Sequence, residues 1–400
     1  MWRLAIVMVV PLSYSCMFLR STTYGTCRGI AFALRSSALQ LPPSGAILPG
    51  KARTDLPFMF RTMRPFSQLF TENTPILLFP GLGASRLISV ANGANVYPPH
   101  MSEYFMQFST WKRRIMCDKP SLTTFPFGSP VALDLQSVSQ SNCAHRALSR
   151  GFADINKYDG IMKEPNVYAM PYDFRRIDEE EYLHTLFRDI KTYIESFDRP
   201  ISVIAHSTGG LLFHWFAHNQ TPEWRAKWIR TVVNVNVPFG GVVNVLENCI
   251  FRDTVLIRLI GSDVFQSLGA TVINMPNPRY IPHILNIDGE WIEDYLEYFK
   301  LDDIQQRWML PHVQAMIASF SRSTGMDTHI VYSSEALNRT VVGIQKDPCT
   351  GKYTRIYGDG DGVVSMESLM VPRCWTSSAG EESRVTFYAV PGMGHSSLLA

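Results

Sequence analysis

The stretch Ile201-Ser202-Val203-Ile204-Ala205-His206-Ser207-Thr208-Gly209-Gly210 constrains what this chain can fold into more than any other. A β-rich run stops at a small residue, a serine stands between small neighbours, and Leu211 to Phe216 continue as an apolar, helix-like segment. So tight a turn from strand to helix lifts the serine hydroxyl above the end of a sheet, the layout of a nucleophile elbow. The positions two before and two after the serine then have little room for a side chain, and Ala205 and Gly209 occupy them. Ala205 departs from the usual glycine by one methyl group. Ser207 is the candidate nucleophile, and the rest of the chain tests it.

Strand and helix alternate around this turn. Pro75 to Phe79 and Thr231 to Val235 are short continuous apolar runs of the buried parallel kind, and Asn166 to Met170, Thr328 to Ser333 and Arg384 to Val390 also have strand character. Asp178 is placed to N-cap a helix whose apolar face is Leu183, Leu186, Phe187, Ile190, Ile194 and Phe197, with acids Glu179 to Glu181 in its first turn and Pro200 ending it. The alternation predicts an α/β fold with a mostly parallel central sheet flanked by helices. Two irregular regions, about 92–150 and 242–325, read as cap or lid insertions, the second with Trp291, Tyr295, Tyr298 and Phe299 on an acidic helix.

A serine hydroxyl needs a histidine to take its proton and an acid to orient that histidine. In an α/β-hydrolase these follow in the order Ser, Asp, His, each in a loop after a strand. Tyr357-Gly358-Asp359-Gly360-Asp361-Gly362-Val363-Val364 and Pro391-Gly392-Met393-Gly394-His395 lie in the expected places. Spacing leaves Asp359 and Asp361 both open, and the acidic turn fails the calcium-loop pattern of an EF-hand. His395 is the candidate base. His206 reads as structural, and His214 with His218, though spaced like metal ligands, read as core histidines because no Glu lies between them. The glycine-rich loop Pro80 to Ser85 lacks the Lys-Ser/Thr of a phosphate loop, so it is assigned to an oxyanion hole built from the Leu82 and Thr208 amides. Seven cysteines without a C-x-x-C pair argue against a metal site, and the mechanism needs no cofactor.

Residues 1–20, a positive start followed by the short apolar run Leu4 to Leu12, read as a signal peptide. Residues 21–70, rich in Arg, Ser and Thr, read as a basic leader or disordered linker, and 71–400 as the catalytic domain. The secretory pathway is the expected route, with an organelle reached by a basic transit segment as the alternative. For an exported chain, Cys349 with Cys374 and Cys117 with Cys143 are candidate disulfides whose connectivity stays open. The net charge of +2 argues against a nucleic-acid partner. With 18% charged and 12% aromatic residues, the composition suits apolar surface kept for lipid or a partner, with an ordinary large core as the alternative. Tyr104, Phe108, Trp111 and Ile115 fall at helical spacing beside Lys112-Arg113-Arg114, so Tyr104, Phe108 and Trp111 are candidate lipid contacts, with simple packing in a cap as the alternative.

Seven blocks carry a resemblance: Pro75 to Leu87, Pro171 to Arg176, Ala205 to Gly210, Val237 to Gly241, Met275 to Pro278, Gly360 to Val364, and Gly394-His395. In this order they resemble the lecithin:cholesterol acyltransferase-like α/β-hydrolases, which include secreted cholesterol acyltransferases, lysosomal phospholipase A and phospholipid:diacylglycerol acyltransferases. The resemblance implies that the acid is Asp361 and that Tyr172-Asp173-Phe174-Arg175 is a structural signature near the site. It departs at Phe174, where members usually have Trp, at Thr208, where Met is common, and at Leu82, where the loop is a residue shorter than in some relatives. It implies that Ser207 attacks an acyl ester of a glycerophospholipid at a membrane or lipoprotein surface. The expected acceptor is water, which makes the enzyme a phospholipase A; the alternative is transfer to a sterol or diacylglycerol, which makes it an acyltransferase. The alternative from another class is a catalytically silent lipid-binding protein on the same fold.

Overall fold

The structure, a computed structural model, describes residues 74–85, 87–89, 95–97, 106–116, 131–133, 158, 161, 166–336, 339–375 and 384–399. All of them belong to one compact unit, Arg53–Ala400. The leader and linker expected over 1–70 lie outside the described residues, as do Tyr104, Cys117 and Cys143.

Six strands form the central sheet: β1 (Ile76–Phe79), β2 (Val167–Ala169), β3 (Ile201–His206), β4 (Ile229–Val235), β5 (Thr328–Ser334) and β6 (Val385–Pro391). Their spatial order is β6-β5-β4-β3-β1-β2, and every pair is parallel. Parallel strands covered on both faces are dominated by apolar side chains, and β1 and β3 are buried along their whole length. The register sets Phe79 beside Ala205, His206 beside Val235, and Ser334 beside Pro391. The loops that begin at Pro80, Ser207, Asn236, Glu335 and Gly392 therefore all leave from the carboxyl edge of one sheet. This is the parallel, helix-flanked α/β sheet that the alternation predicts.

Helix α1 (Phe108–Ile115) precedes β2, α2 (Glu180–Glu195) precedes β3, and α3 (Thr208–His218) follows β3 directly. Helix α2 buries Leu183, Leu186, Phe187, Ile190 and Ile194, the face read from its periodicity, and Phe197 beyond it packs on Tyr168 with ring centres 4.8 Å apart. Asp178 is not its cap. The helix begins after Glu179, and the Asp178 carboxylate instead accepts from Arg307 Nε at 2.7 Å, so an ion pair to a distant helix wins over a local cap. Helix α3 is buried nearly all round, and Phe213 stands 5.1 Å from Phe79 across the strand–helix contact. Each such fully buried aromatic contributes about 1.5–3 kcal/mol by leaving water.

Helix α1 corrects one expectation. Trp111 is fully buried and its indole N–H donates to the Val96 carbonyl at 2.8 Å, so it belongs to the core and is not a lipid contact. Ile115 is buried beside it, while Phe108 is 37% exposed and Met106 81%. The segment around Trp291 is also not one acidic helix: Glu290–Trp291 is a two-residue strand and only Tyr295–Tyr298 is helical. Cys349 and Cys374 are free thiols, so the disulfide expected between them is not formed.

A second sheet was not read from the sequence. Thr340–Lys346 runs antiparallel to Tyr353–Gly358 and parallel to Leu285–Ile287. It feeds the chain into the loop that carries Asp361. Among the described residues no helix is long and apolar enough to cross a membrane.

Candidate active site

Ser207 has φ 52° and ψ −130°, a conformation that costs a residue with a Cβ about 1–3 kcal/mol and persists only where neighbours enforce it. The neighbours do so through space. A Cβ on Gly209 would lie 2.4 Å from the Pro80 carbonyl oxygen, and one on Gly210 would overlap the Val237 side chain. The turn is thus wedged between the β1 exit and the β4 exit, with the Ser207 amide donating to the Val235 carbonyl at 3.1 Å.

The loop after β6 brings His395 over this turn. Its Nε2 is 2.9 Å from Ser207 Oγ and its Nδ1 is 2.6 Å from Asp361 Oδ2. A carboxylate can only accept, so Nδ1 carries the proton and Nε2 is left to accept from the serine hydroxyl. Asp361 is 1% exposed. Its other oxygen accepts the amides of Val363 at 2.9 Å and Val364 at 2.7 Å, which fixes the carboxylate before it meets the imidazole. Asp359 does different work: its Oδ1 accepts the Glu335 and Gly360 amides at 2.8 and 2.7 Å and tethers the loop to the end of β5. Geometry therefore separates the two aspartates that spacing left open. Three groups so arranged can pass a proton from serine to imidazole and hold the imidazolium against a buried carboxylate.

The glycine-rich loop after β1 lies against the serine. A Cβ on Gly81 would be 3.1 Å from Ser207 Cβ, so the loop backbone, with Leu82 next, borders the nucleophile. Tyr172 donates its hydroxyl to the Pro80 carbonyl at 2.9 Å and steadies that loop from β2. Beside it Asp173 and Arg175 form a buried pair, Nε to Oδ1 2.8 Å and a second nitrogen to Oδ2 2.6 Å. Thr208 opens α3 next to the serine, and its Oγ1 accepts from Asn274 Nδ2 at 3.0 Å, a contact no local pattern announced.

Two further groups escaped the sequence reading. Asn236 donates Nδ2 to the His395 carbonyl at 2.7 Å while its own Oδ1 accepts the Ser333 amide at 2.8 Å. The one signal in the sequence was an Asn directly after the strand, a residue that tolerates the left-handed conformation, φ 48°, that it adopts there. Tyr158, 48 positions before His206, touches both that histidine and Gly81, and no spacing could reveal it. His206 itself is buried as expected, but it faces the His395 loop, with ring centres 5.0 Å apart.

His214 and His218 bond to backbone carbonyls and to each other. His214 Nε2 is 3.0 Å from the Ser319 carbonyl and 3.1 Å from His218 Nε2. Burial pushes His214 down from 6.5 to about 3, with the neighbouring His218 adding to it, and burial pushes His218 down to about 4. Between pH 6.5 and about 4 the unfolded chain takes up protons here that the folded chain refuses, so stability falls as pH falls through that window. A His214→Gln variant is expected to flatten the fall of the urea midpoint from pH 6.5 to 4.5. Parallel pH curves for the two proteins would contradict this.

Sequence comparison fits the geometry. The family model described as Lecithin:cholesterol acyltransferase matches residues 152–346, which include Ser207 and stop short of Asp361 and His395. "Lysosomal phospholipase A and acyltransferase" of Mus musculus is 24% identical over 253 residues, and that of Homo sapiens 25%, each alignment covering 60% of this chain and 60% of the relative. "Phosphatidylcholine-sterol acyltransferase" of Gallus gallus is 22% identical over 251 residues, 59% of this chain and 60% of that one. The chain thus matches these curated relatives over about three fifths of their length. Among solved structures, a chain of the Tle4-Tli4 complex superposes with a TM-score of 0.50 at 11% identity, covering 82% of this chain and 95% of that one, a likeness of fold alone. The segment that holds the nucleophile turn thus makes the chain a distant relative of proteins named for lysosomal phospholipase A and phosphatidylcholine-sterol acyltransferase, and similar to the lecithin:cholesterol acyltransferase family.

Proposed function

We propose that the protein is a serine acyl-ester enzyme acting on glycerophospholipids, with hydrolysis of the phospholipid acyl ester, a phospholipase A activity, as its main reaction. The observation that carries the reading is the hydrogen-bonded series Ser207, His395, Asp361 at 2.9 and 2.6 Å. Ser207 Oγ attacks the ester carbonyl as His395 Nε2 takes its proton. The tetrahedral oxyanion is held by the amides of Leu82 and Thr208, and His395 returns the proton to the departing lysophospholipid oxygen. Water, deprotonated by His395, then attacks the acyl-enzyme and releases fatty acid and free Ser207. Asp361 keeps the imidazole in the tautomer both half-reactions need.

The substrate class rests on the relatives, whose names specify phospholipase A and phosphatidylcholine-sterol acyltransferase activities. Those same names give the second reading, in which an alcohol replaces water as acceptor. The secretory pathway as location likewise draws on the word lysosomal in the relatives' names. For a peripheral lipid surface, Met106 and Phe108 at the start of α1 offer exposed apolar side chains.

Vesicles of labelled phosphatidylcholine, with and without a sterol or a diacylglycerol, test the reading by separation of products. Labelled fatty acid and lysophospholipid are expected in all three mixtures. Labelled sterol ester or triacylglycerol exceeding fatty acid would move the assignment to acyl transfer. No product from any phospholipid, with turnover of short soluble esters, would overturn the substrate class.

A further inference from the structure

A line of buried hydrogen bonds runs from the glycine-rich loop to the backbone of the base. The Gly81 amide lies 2.8 Å from the Tyr158 hydroxyl oxygen, that hydroxyl 2.7 Å from His206 Nδ1, and His206 Nε2 3.2 Å from the carbonyl oxygen of His395. Tyr158 is 1% exposed and His206 3%. Both ends of the line fix its proton arrangement. An amide can only donate, so the Tyr158 oxygen accepts from Gly81 and turns its own hydrogen to Nδ1. A carbonyl can only accept, so His206 carries its proton on Nε2. One neutral tautomer satisfies all four groups, and a side chain without both a donor and an acceptor at position 206 breaks the line.

We propose that Tyr158 and His206 are positioning residues that couple the oxyanion loop to the catalytic base, holding Gly81 and the His395 backbone at one fixed separation across Ser207. The proposal rests on the reading of Ser207, His395 and Asp361 as the triad. Its consequence is geometric. The His206 ring packs under Gly81, where an added Cβ would meet Nδ1 at 3.0 Å, so the ring acts as a spacer as well as a link. Rotation of the His395 peptide would swing Nε2 away from Ser207 Oγ, and a misplacement of about 1 Å at a reacting group costs on the order of 10²-fold in rate. The same carbonyl also accepts from Asn236 Nδ2 at 2.7 Å, so loss of the His206 donor alone leaves one anchor in place. The expected effect is therefore roughly tenfold to a hundredfold.

The test measures kcat, KM, urea midpoint and the rate of Ser207 labelling by a fluorophosphonate for the wild type, Tyr158→Phe, His206→Gln and His206→Leu. Tyr158→Phe and His206→Leu are expected to lower kcat and labelling rate together by roughly tenfold to a hundredfold, with KM within about twofold. His206→Gln, whose amide supplies a donor near Nε2, should recover most of the loss against His206→Leu. Should Tyr158→Phe fail to fold, the contrast between the Gln and Leu variants decides alone. Wild-type kcat and labelling in Tyr158→Phe and His206→Leu, or equal loss in the Gln and Leu variants, overturns the positioning role. No labelling of Ser207 in the wild type overturns instead the triad reading on which it rests.

Discussion

A Ser207→Ala variant is expected to fold normally and to lose ester turnover by roughly 10⁵- to 10⁶-fold. The large figure follows from removal of the attacking atom, since water must then replace Ser207 Oγ without a covalent intermediate. The fold should hold because the turn is enforced by the fit of Gly209 and Gly210 against Pro80 and Val237, and alanine keeps the serine Cβ. Adding His395→Ala or Asp361→Asn to this variant should cost little more, because the three groups act as one unit. Comparison of kcat at matched urea midpoints checks this. Activity above about one hundredth of wild type, in protein free of contaminating esterase, would contradict the assignment of Ser207.

Gly209→Ala is expected to have the largest effect on folding. Glycine-to-alanine changes inside helices usually stabilise by up to about 1 kcal/mol, because alanine restricts the unfolded chain and favours the helix. Here a Cβ would sit 2.4 Å from the Pro80 oxygen and 2.6 Å from the Phe79 oxygen, both backbone atoms of the adjoining strand exit. Neither can turn aside as a side chain would, so α3 must lift from β1 and open the contact between Phe79 and Phe213. The overpacking term, about 1–3 kcal/mol and more against rigid backbone, outweighs the helix gain. A net loss of about 2 kcal/mol or more is expected from urea denaturation. A midpoint at or above wild type would mean that helix propensity decides and that the strand–helix contact is looser than the structure has it.

The strands β1 and β4 were legible because each is a short, mostly apolar run, the pattern that burial on both faces of a parallel sheet demands, whereas β5 and β6 carry polar positions and showed only strand character. The elbow was legible for a similar reason: Ala205, Ser207 and Gly209 answer a local steric demand. Asp361 was legible only in part, since Asp359 and Asp361 share a glycine-rich loop and differ in which way the chain turns there, a property of Gly360 at φ 157° and of the Thr340 side chain beneath it. Asp178 was misread because a capping pattern is local and its actual partner, Arg307, lies 129 residues away. Trp111 was left open between lipid and packing because an amphipathic stripe looks alike whether it meets lipid or core, and only the Val96 carbonyl, 15 residues off, decides for packing. The bonds of Tyr158 to His206 and of Asn236 to the His395 carbonyl are long-range in the same way, spanning 48 and 159 residues.

The most direct measurement is to catch the intermediate. Rapid acid quench of the protein during turnover of labelled phosphatidylcholine, followed by proteolysis and mass analysis, should find one acyl chain esterified to the peptide that contains Ser207, and none in Ser207→Ala. Turnover with no acylated peptide, or with the acyl group on any other residue, would contradict the account.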